Sequence, residues 1–546
     1  MEANFMMLGA AFDRDLTVRE AFLAISRFTA AIKCGHTQPN PYNQSDAVVA
    51  EVFTRADKLP FYFRWIDGRM IVTRDLSGRG ALAPGTEVLS IDGAPARTIL
   101  DTLMTIARAD GSNDAKRMRL LEVTGTDRFE TFDIYYPLLF PRASTPFELR
   151  VRPGMGGPES KVTVEPMTYE ARLAAHEAVH TANDTGEGPL WKLSFLEDGT
   201  AYLRMSSWVA YKTTWDWTRF INDTFDDLIA KGVPNLLIDL RGNEGGSGVG
   251  EVIVARLIDT PLPRSPNERF VRYVKTPPDL DAVLDTWDSS FKDWGSDAIG
   301  PLDLADRNTG LPAGTTAGFY RLRDGETKDG PRAENEAEAM IAPAGKRYLG
   351  RVFVLIDATN SSATFEFAEM AKRLKLATLI GQPTGGNQRG INGGAFFFLR
   401  LPRSGIEVDL PIIGVYPKLG SAPRDDAGIA PDLLVTPTIE DVVGGVDAEL
   451  EAVKRLIELC PKETTPILLI RIPVDLHALD PVPTAVSHGG IGLGWGARIN
   501  WDAYHRLAGA AACREEHRFG PDGQSGRNRP PQPAPWRLMP FGDAGT

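Results

Sequence analysis

An α/β fold built on a largely parallel sheet is what this sequence predicts, and three observations predict it. Two short apolar runs, Leu236-Leu237-Ile238-Asp239-Leu240 and Val352-Phe353-Val354-Leu355-Ile356-Asp357, are rich in branched residues and almost free of polar ones. That is the pattern of strands covered on both faces. Each run ends in a tight turn, the first in Arg241-Gly242-Asn243-Glu244-Gly245-Gly246 and the second in Ala358-Thr359-Asn360-Ser361-Ser362. Helical spacing follows each turn, over Val249 to Ile258 and over Ala363 to Leu374. Strand, turn and helix in that order place both turns at carboxyl ends of strands, where open α/β sheets carry their sites.

The remaining elements follow in chain order. Phe22, Leu23, Ile25, Phe28 and Ala31 recur at helical spacing, and Gly35 breaks the pattern just before His36. Residues 1–56 read as an N-terminal helical segment. Residues 57–168 read as a β-rich domain. Phe61 to Ile66, then Asp67-Gly68, then Arg69 to Val72 is a hairpin signature. Residues 169–182 look helical, and a helix near 215–231 precedes the first glycine turn. Residues 262–345 are rich in Pro, Asp and Gly and poorly periodic, which predicts a variable insertion that is partly loop. A helix from Asp447 to Leu459 closes a core spanning 169–459. Residues 460–546 turn Gly- and Pro-rich, and disorder is expected there.

Four stretches together carry a family resemblance. They are the strand with Arg241 to Gly246, the helix start Ser361-Ser362-Ala363-Thr364, the turn Gly381-Gln382-Pro383-Thr384-Gly385-Gly386, and Gly428-Ile429-Ala430-Pro431-Asp432. In this order and spacing the chain resembles the tail-specific (C-terminal processing) serine peptidases and their tricorn-type relatives. The resemblance implies a crotonase-like core. It also implies a PDZ-like identity for the β-rich domain, whose Leu82 to Gly93 stretch resembles that core, and such domains bind C-terminal peptides by strand addition. A protein or peptide substrate, bound by its C-terminus, is the expected partner.

A serine hydroxyl needs a base before it is a useful nucleophile. The resemblance selects Ser362 over Ser361. At the head of a helix, Ser362 places the Ala363 amide where a developing oxyanion is met by the helix dipole. Gly245 and Gly246 supply the second amide. The plain alternative for the serine pair is a helix N-cap. One branch of the family uses a lysine after the Gly-x-Pro-Thr-x-Gly turn, and Asn387 stands in that slot here. Tricorn-like members use an N-terminal histidine, and Cys34-Gly35-His36-Thr37 matches its place. The resemblance therefore implies His36 as base and Asp425, or its neighbour Asp426, as the acid that orients it. Asp432 is expected to fix its turn. No metal or organic cofactor is implied.

Composition bounds the alternatives. The chain has 546 residues, 42% hydrophobic and 24% charged, with a net charge of −12. Its size fits two to four domains, and its charge argues against a general nucleic-acid binder. Three separated cysteines form neither a disulfide framework nor a zinc cluster. No run is long enough for a membrane span, and the opening residues lack a signal-peptide pattern. The resemblance implies export, so exported and cytoplasmic locations both stay open. Two other functions compete. His176-Glu177-Ala178-Val179-His180 is an H-E-x-x-H sequence, which on a helix would suit a zinc peptidase. A non-catalytic relative that binds ligands or acts as a scaffold is the other.

Overall fold

The two apolar runs become neighbouring parallel strands. In the computed structural model, Asn235–Asp239 and Arg351–Ile356 pair with Leu236 opposite Val352 and Asp239 opposite Leu355. They occupy the middle of a six-stranded sheet ordered Leu433–Leu434, Thr378–Gly381, Arg351–Ile356, Asn235–Asp239, Ala201–Arg204, Lys192–Phe195. Only the last pair is antiparallel. Every residue of Asn235–Asp239 is buried. Leu236, Ile238 and Val354 share one core with Phe225, Ile253, Phe367 and Ala371 from the flanking helices Trp217–Ala230, Val249–Ala255 and Ala363–Arg373. Each such side chain contributes about 1.5–3 kcal/mol on burial.

The structure describes residues 2–459, apart from 79, 81, 126, 143–145, 155, 178–189, 212, 265–266, 303–317, 324–339 and 419–423. The chain divides into two compact units, Met1–Lys454 and Arg455–Thr546. Of the second unit only 455–459 are described, the end of the helix Ala448–Leu459. The expected disorder of 460–546 therefore lies outside the described residues. No described helix is long and apolar enough to cross a membrane.

Residues 57–168 form a second, antiparallel sheet that runs Phe61–Ile66, Arg69–Asp75, Glu87–Ile91, Phe147–Arg152, Ser160–Val164. The hairpin forms as expected. Asp67 and Gly68 both adopt positive φ, 51° and 72°, as a two-residue type I′ turn requires. The helices Ala96–Met104, Asp114–Leu120 and Thr131–Leu139 belong to this part of the chain. The helix Val18–Ala31, started by a Thr17–Glu20 capping box, sends Phe22 and Ile25 into the same core as Phe53, Phe61 and Phe132.

The stretch 262–345 is more ordered than its sequence suggests. Its described parts supply Asn267–Val271, Leu284–Asp285, Ala298–Leu302 and Phe319–Leu322 to a third sheet, antiparallel, built on the long hairpin Ile391–Arg400 and Glu407–Pro417. Strands of two to five residues separated by Pro and Gly are too short to show a period.

Candidate active site

The two turns meet edge to edge. The Asn360 amide donates to the carbonyls of Leu240, at 2.6 Å, and Asn243, at 2.9 Å. The Thr364 hydroxyl donates to the Asn243 carbonyl at 3.0 Å. The closest approach is at Gly245, where an added Cβ would lie 2.7 Å from the Ser361 carbonyl, 2.8 Å from the Ala363 nitrogen and 3.0 Å from the Ser362 Cβ. With φ of +98° as well, this position accepts only glycine.

The two serines have different environments. Ser361 is 6% exposed, and its hydroxyl donates to the Glu244 carbonyl at 3.3 Å and accepts from Lys116 Nζ at 3.4 Å. Ser362 is half-buried at the first position before Ala363–Arg373 and makes no side-chain cap hydrogen bond. It also holds φ 52° and ψ −129°, a conformation that costs a non-glycine residue about 1–3 kcal/mol. The helix-cap alternative thus fails for Ser362.

The expected oxyanion amides are separated by the structure. The Gly245 N–H is donated to Asn243 Oδ1 at 2.9 Å, so it is already spent. The parallel bridge beside it uses the Gly245 carbonyl and the Ser247 amide, both on Trp208, and leaves the Gly246 amide out of the pairing. Of the two glycine amides expected to serve an oxyanion, only Gly245 is engaged within the turn.

His36 comes to this end of the molecule. Its ring lies 5.8 Å from that of Phe396. Its Nδ1 is buried without a hydrogen-bond partner, and among the described residues no hydrogen bond joins it to Ser362. Catalytic contacts of free enzymes are often long and tighten on the substrate. Burial holds the imidazole pKa below its usual value, Asp110 and Glu244 oppose that shift, and Arg108 and Lys116 add to it.

The expected acid is not among the charges acting on this ring. Asp425 is exposed. Asp426 accepts from the Ser112 amide at 3.0 Å and from Asn387 Nδ2 at 2.7 Å, and pairs with Arg389 at 3.4 Å. The carboxylate beside the histidine segment is Asp110, whose Oδ1 accepts the Gly35 amide at 2.7 Å. Asn387, in the lysine slot, is 2% exposed and ties Asp426 to the Asp110 carbonyl. Asp432 instead ties the end of its turn to the neighbouring strand Thr378–Gly381, accepting the Leu379 amide at 2.8 Å.

Sequence reasoning missed the loop and helix at 108–119. Asn113 donates to the Thr384 and Gly386 carbonyls, and Arg119 pairs with Asp357. Arg108 and Lys116 both reach Glu244 at 2.7 Å. Only Glu244, a charge inside a glycine turn, signalled that a cation must come from elsewhere. In the H-E-x-x-H stretch, His176 and Glu177 fall in the helix Tyr169–Glu177, and Ala178 to His180 lie outside the described residues. Among the described residues no cluster of three or more His, Cys, Asp or Glu could hold a metal ion.

Known proteins share this fold. Mature CPAF in a structure complexed with lactacystin shares the fold at a TM-score of 0.52 and 16% identity, over 84% of this chain and 91% of that one. A serine-to-alanine mutant of CPAF gives a TM-score of 0.51 and 17% identity, over 86% and 95%. No curated protein matches the sequence. Residues 199–435, which hold both turns and Ser362, match the model of peptidase family S41. The chain therefore carries an S41 peptidase domain and is a serine-type peptidase, a hydrolase that acts on protein or peptide substrates.

Proposed function

We propose that the protein cleaves peptide bonds by a Ser362–His36 mechanism of the tail-specific, tricorn-like kind. Ser362 attacks the scissile carbonyl carbon while its proton passes to His36. The tetrahedral oxyanion is held by the amides of Gly246 and Ala363. His36 returns the proton to the leaving amine, and water then repeats the sequence to release the acyl group. Asp110 takes the place expected for Asp425 and stabilises the imidazolium through its charge. The observation that carries this reading is the contrast at the serine pair. The Ser361 hydroxyl is buried and engaged, whereas Ser362 stands half-open on a strained turn, against a glycine that lets the opposite backbone come close.

On the same reading the core is crotonase-like and residues 57–168 are PDZ-like. The strand Ser160–Val164 is an edge of that antiparallel sheet and suits strand addition by a substrate C-terminus. A fluorophosphonate probe followed by peptide mapping tests the nucleophile. Label on Ser362, lost in Ser362→Ala and retained in Ser361→Ala, is expected. Label on Ser361 alone, or unchanged peptidase activity in Ser362→Ala, refutes the assignment.

A further inference from the structure

Glu244 sits in the glycine turn one residue before Gly245, and two cations from the β-rich part of the chain converge on it. Arg108 Nη2 donates to one carboxylate oxygen and Lys116 Nζ to the other, each at 2.7 Å. The other ends of these cations matter as much. Arg108 Nη1 donates to the Gly35 carbonyl at 2.8 Å, the peptide that leads into His36. Lys116 Nζ also donates to the Thr359 carbonyl at 2.9 Å and to Ser361 Oγ at 3.4 Å, on the loop that presents Ser362. Lys116 is 1% exposed at its side chain, and all three ammonium protons find acceptors. Burial pushes the Lys116 pKa down, and the Glu244 charge opposes that shift and favours the ammonium form. Burial alone would raise the Glu244 pKa, and the two cations override it and hold the carboxyl far below its usual range.

We infer that Arg108, Glu244 and Lys116 form a positioning triad, which fixes the segment bearing the base to the loop bearing the nucleophile through one carboxylate. This rests on the Ser362–His36 reading. None of the three touches the reacting atoms. The triad acts by holding His36 and Ser362 in register and by setting the field at the imidazole. The charges acting on that ring are Asp110 and Arg108 from the loop before Asn113, Glu244 from the glycine turn, and Lys116 from the helix Asp114–Leu120. Phe396, packed against the ring, is uncharged.

The test uses the full chain and the variants Glu244→Gln and Lys116→Met, assayed for peptide hydrolysis and for the rate of fluorophosphonate labelling across pH. Both variants are expected to lose on the order of 100-fold in kcat with KM little changed, the cost of about 1 Å of misplacement. Their acid limbs should move in opposite directions. Loss of the Lys116 charge lets His36 hold its proton to higher pH, and loss of the Glu244 charge releases it at lower pH. A merely structural role would move neither limb. Arg108→Lys keeps the charge and cannot span both partners, so it should lower kcat with the limb in place. It serves if the first two variants fail to fold. Folded variants labelled on Ser362 with wild-type kcat and limb overturn the triad alone. A wild-type protein unlabelled on Ser362 overturns the underlying mechanism and the triad with it.

Discussion

Replacing Gly245 by alanine perturbs the site with the least added chemistry. The new methyl would lie 2.7 Å from the Ser361 carbonyl oxygen and 2.8 Å from the Ala363 nitrogen, where ordinary contact begins at 3.4 Å. Both are backbone atoms, so no side chain can swing away, and the serine loop must retreat by about 0.7 Å on those distances. Holding alanine at φ +98° adds strain of about 1–3 kcal/mol, and the overpacking costs about as much again. A shift of that size at the nucleophile should lower kcat/KM by about 100-fold, and the folded state should lose about 2–6 kcal/mol on the same ranges. The assay is hydrolysis of a fluorogenic peptide beside the fluorophosphonate labelling rate, with urea melts to measure stability. Gly9→Ala is the control, because its Cβ meets nothing within 4 Å and it lies in the helix Glu2–Ala11. Wild-type hydrolysis and labelling in a folded Gly245→Ala protein would refute the close approach of the two turns.

The kcat/KM profile should rise with pH along a limb below the usual imidazole range, since burial depresses the His36 pKa and the neutral ring is the base; a pH series with His36→Ala, which should lose limb and turnover together, checks it. Burial would raise Asp357, but Arg119 and Thr359 hold its pKa down, so its contribution to stability is complete above the unfolded carboxyl value of about 3.9 and fades as pH falls through the lower folded one. Urea melts of the wild type should therefore weaken below about pH 4, and Asp357→Asn should be destabilised at pH 6 and show less of that dependence. A strong chelator should leave hydrolysis unchanged, whereas a zinc enzyme would lose its activated water; activity lost on chelation and restored by zinc would favour the His176–His180 alternative.

The parallel core was legible because its strands and helices are local patterns. Leu236 to Leu240 and Val352 to Asp357 announce buried strands by composition alone, and the Asp67-Gly68 turn announces its hairpin. The Ser362 turn was legible because the serine pair directly precedes a helical pattern, and the structure places Ser362 at the head of the helix Ala363–Arg373. The acid was not. The expectation of Asp425 followed spacing along the chain, whereas the charge at His36 comes from Asp110, on a loop that approaches through Gly35. Nor does sequence distinguish an amide that points at substrate from one already bonded, as Gly245 is to Asn243. The sheet strands between 262 and 345 escaped because they run only two to five residues and are separated by Pro- and Gly-rich stretches.

The assembly of the site has a consequence for when the protein becomes active. Asn113 binds carbonyls that lie 271 and 273 residues further along the chain, and Arg108 reaches Glu244 across 136. Closing loops this long is entropically costly and slow, so these contacts form after the local helices and hairpins. A ribosome delivers His36 early and the Thr384 turn only after most of the chain has been made. On the Ser362–His36 reading, the growing polypeptide thus holds a base with no nucleophile to serve, then a nucleophile with no finished frame. The frame around Ser362 is therefore completed only once the Thr384–Gly386 turn has been made.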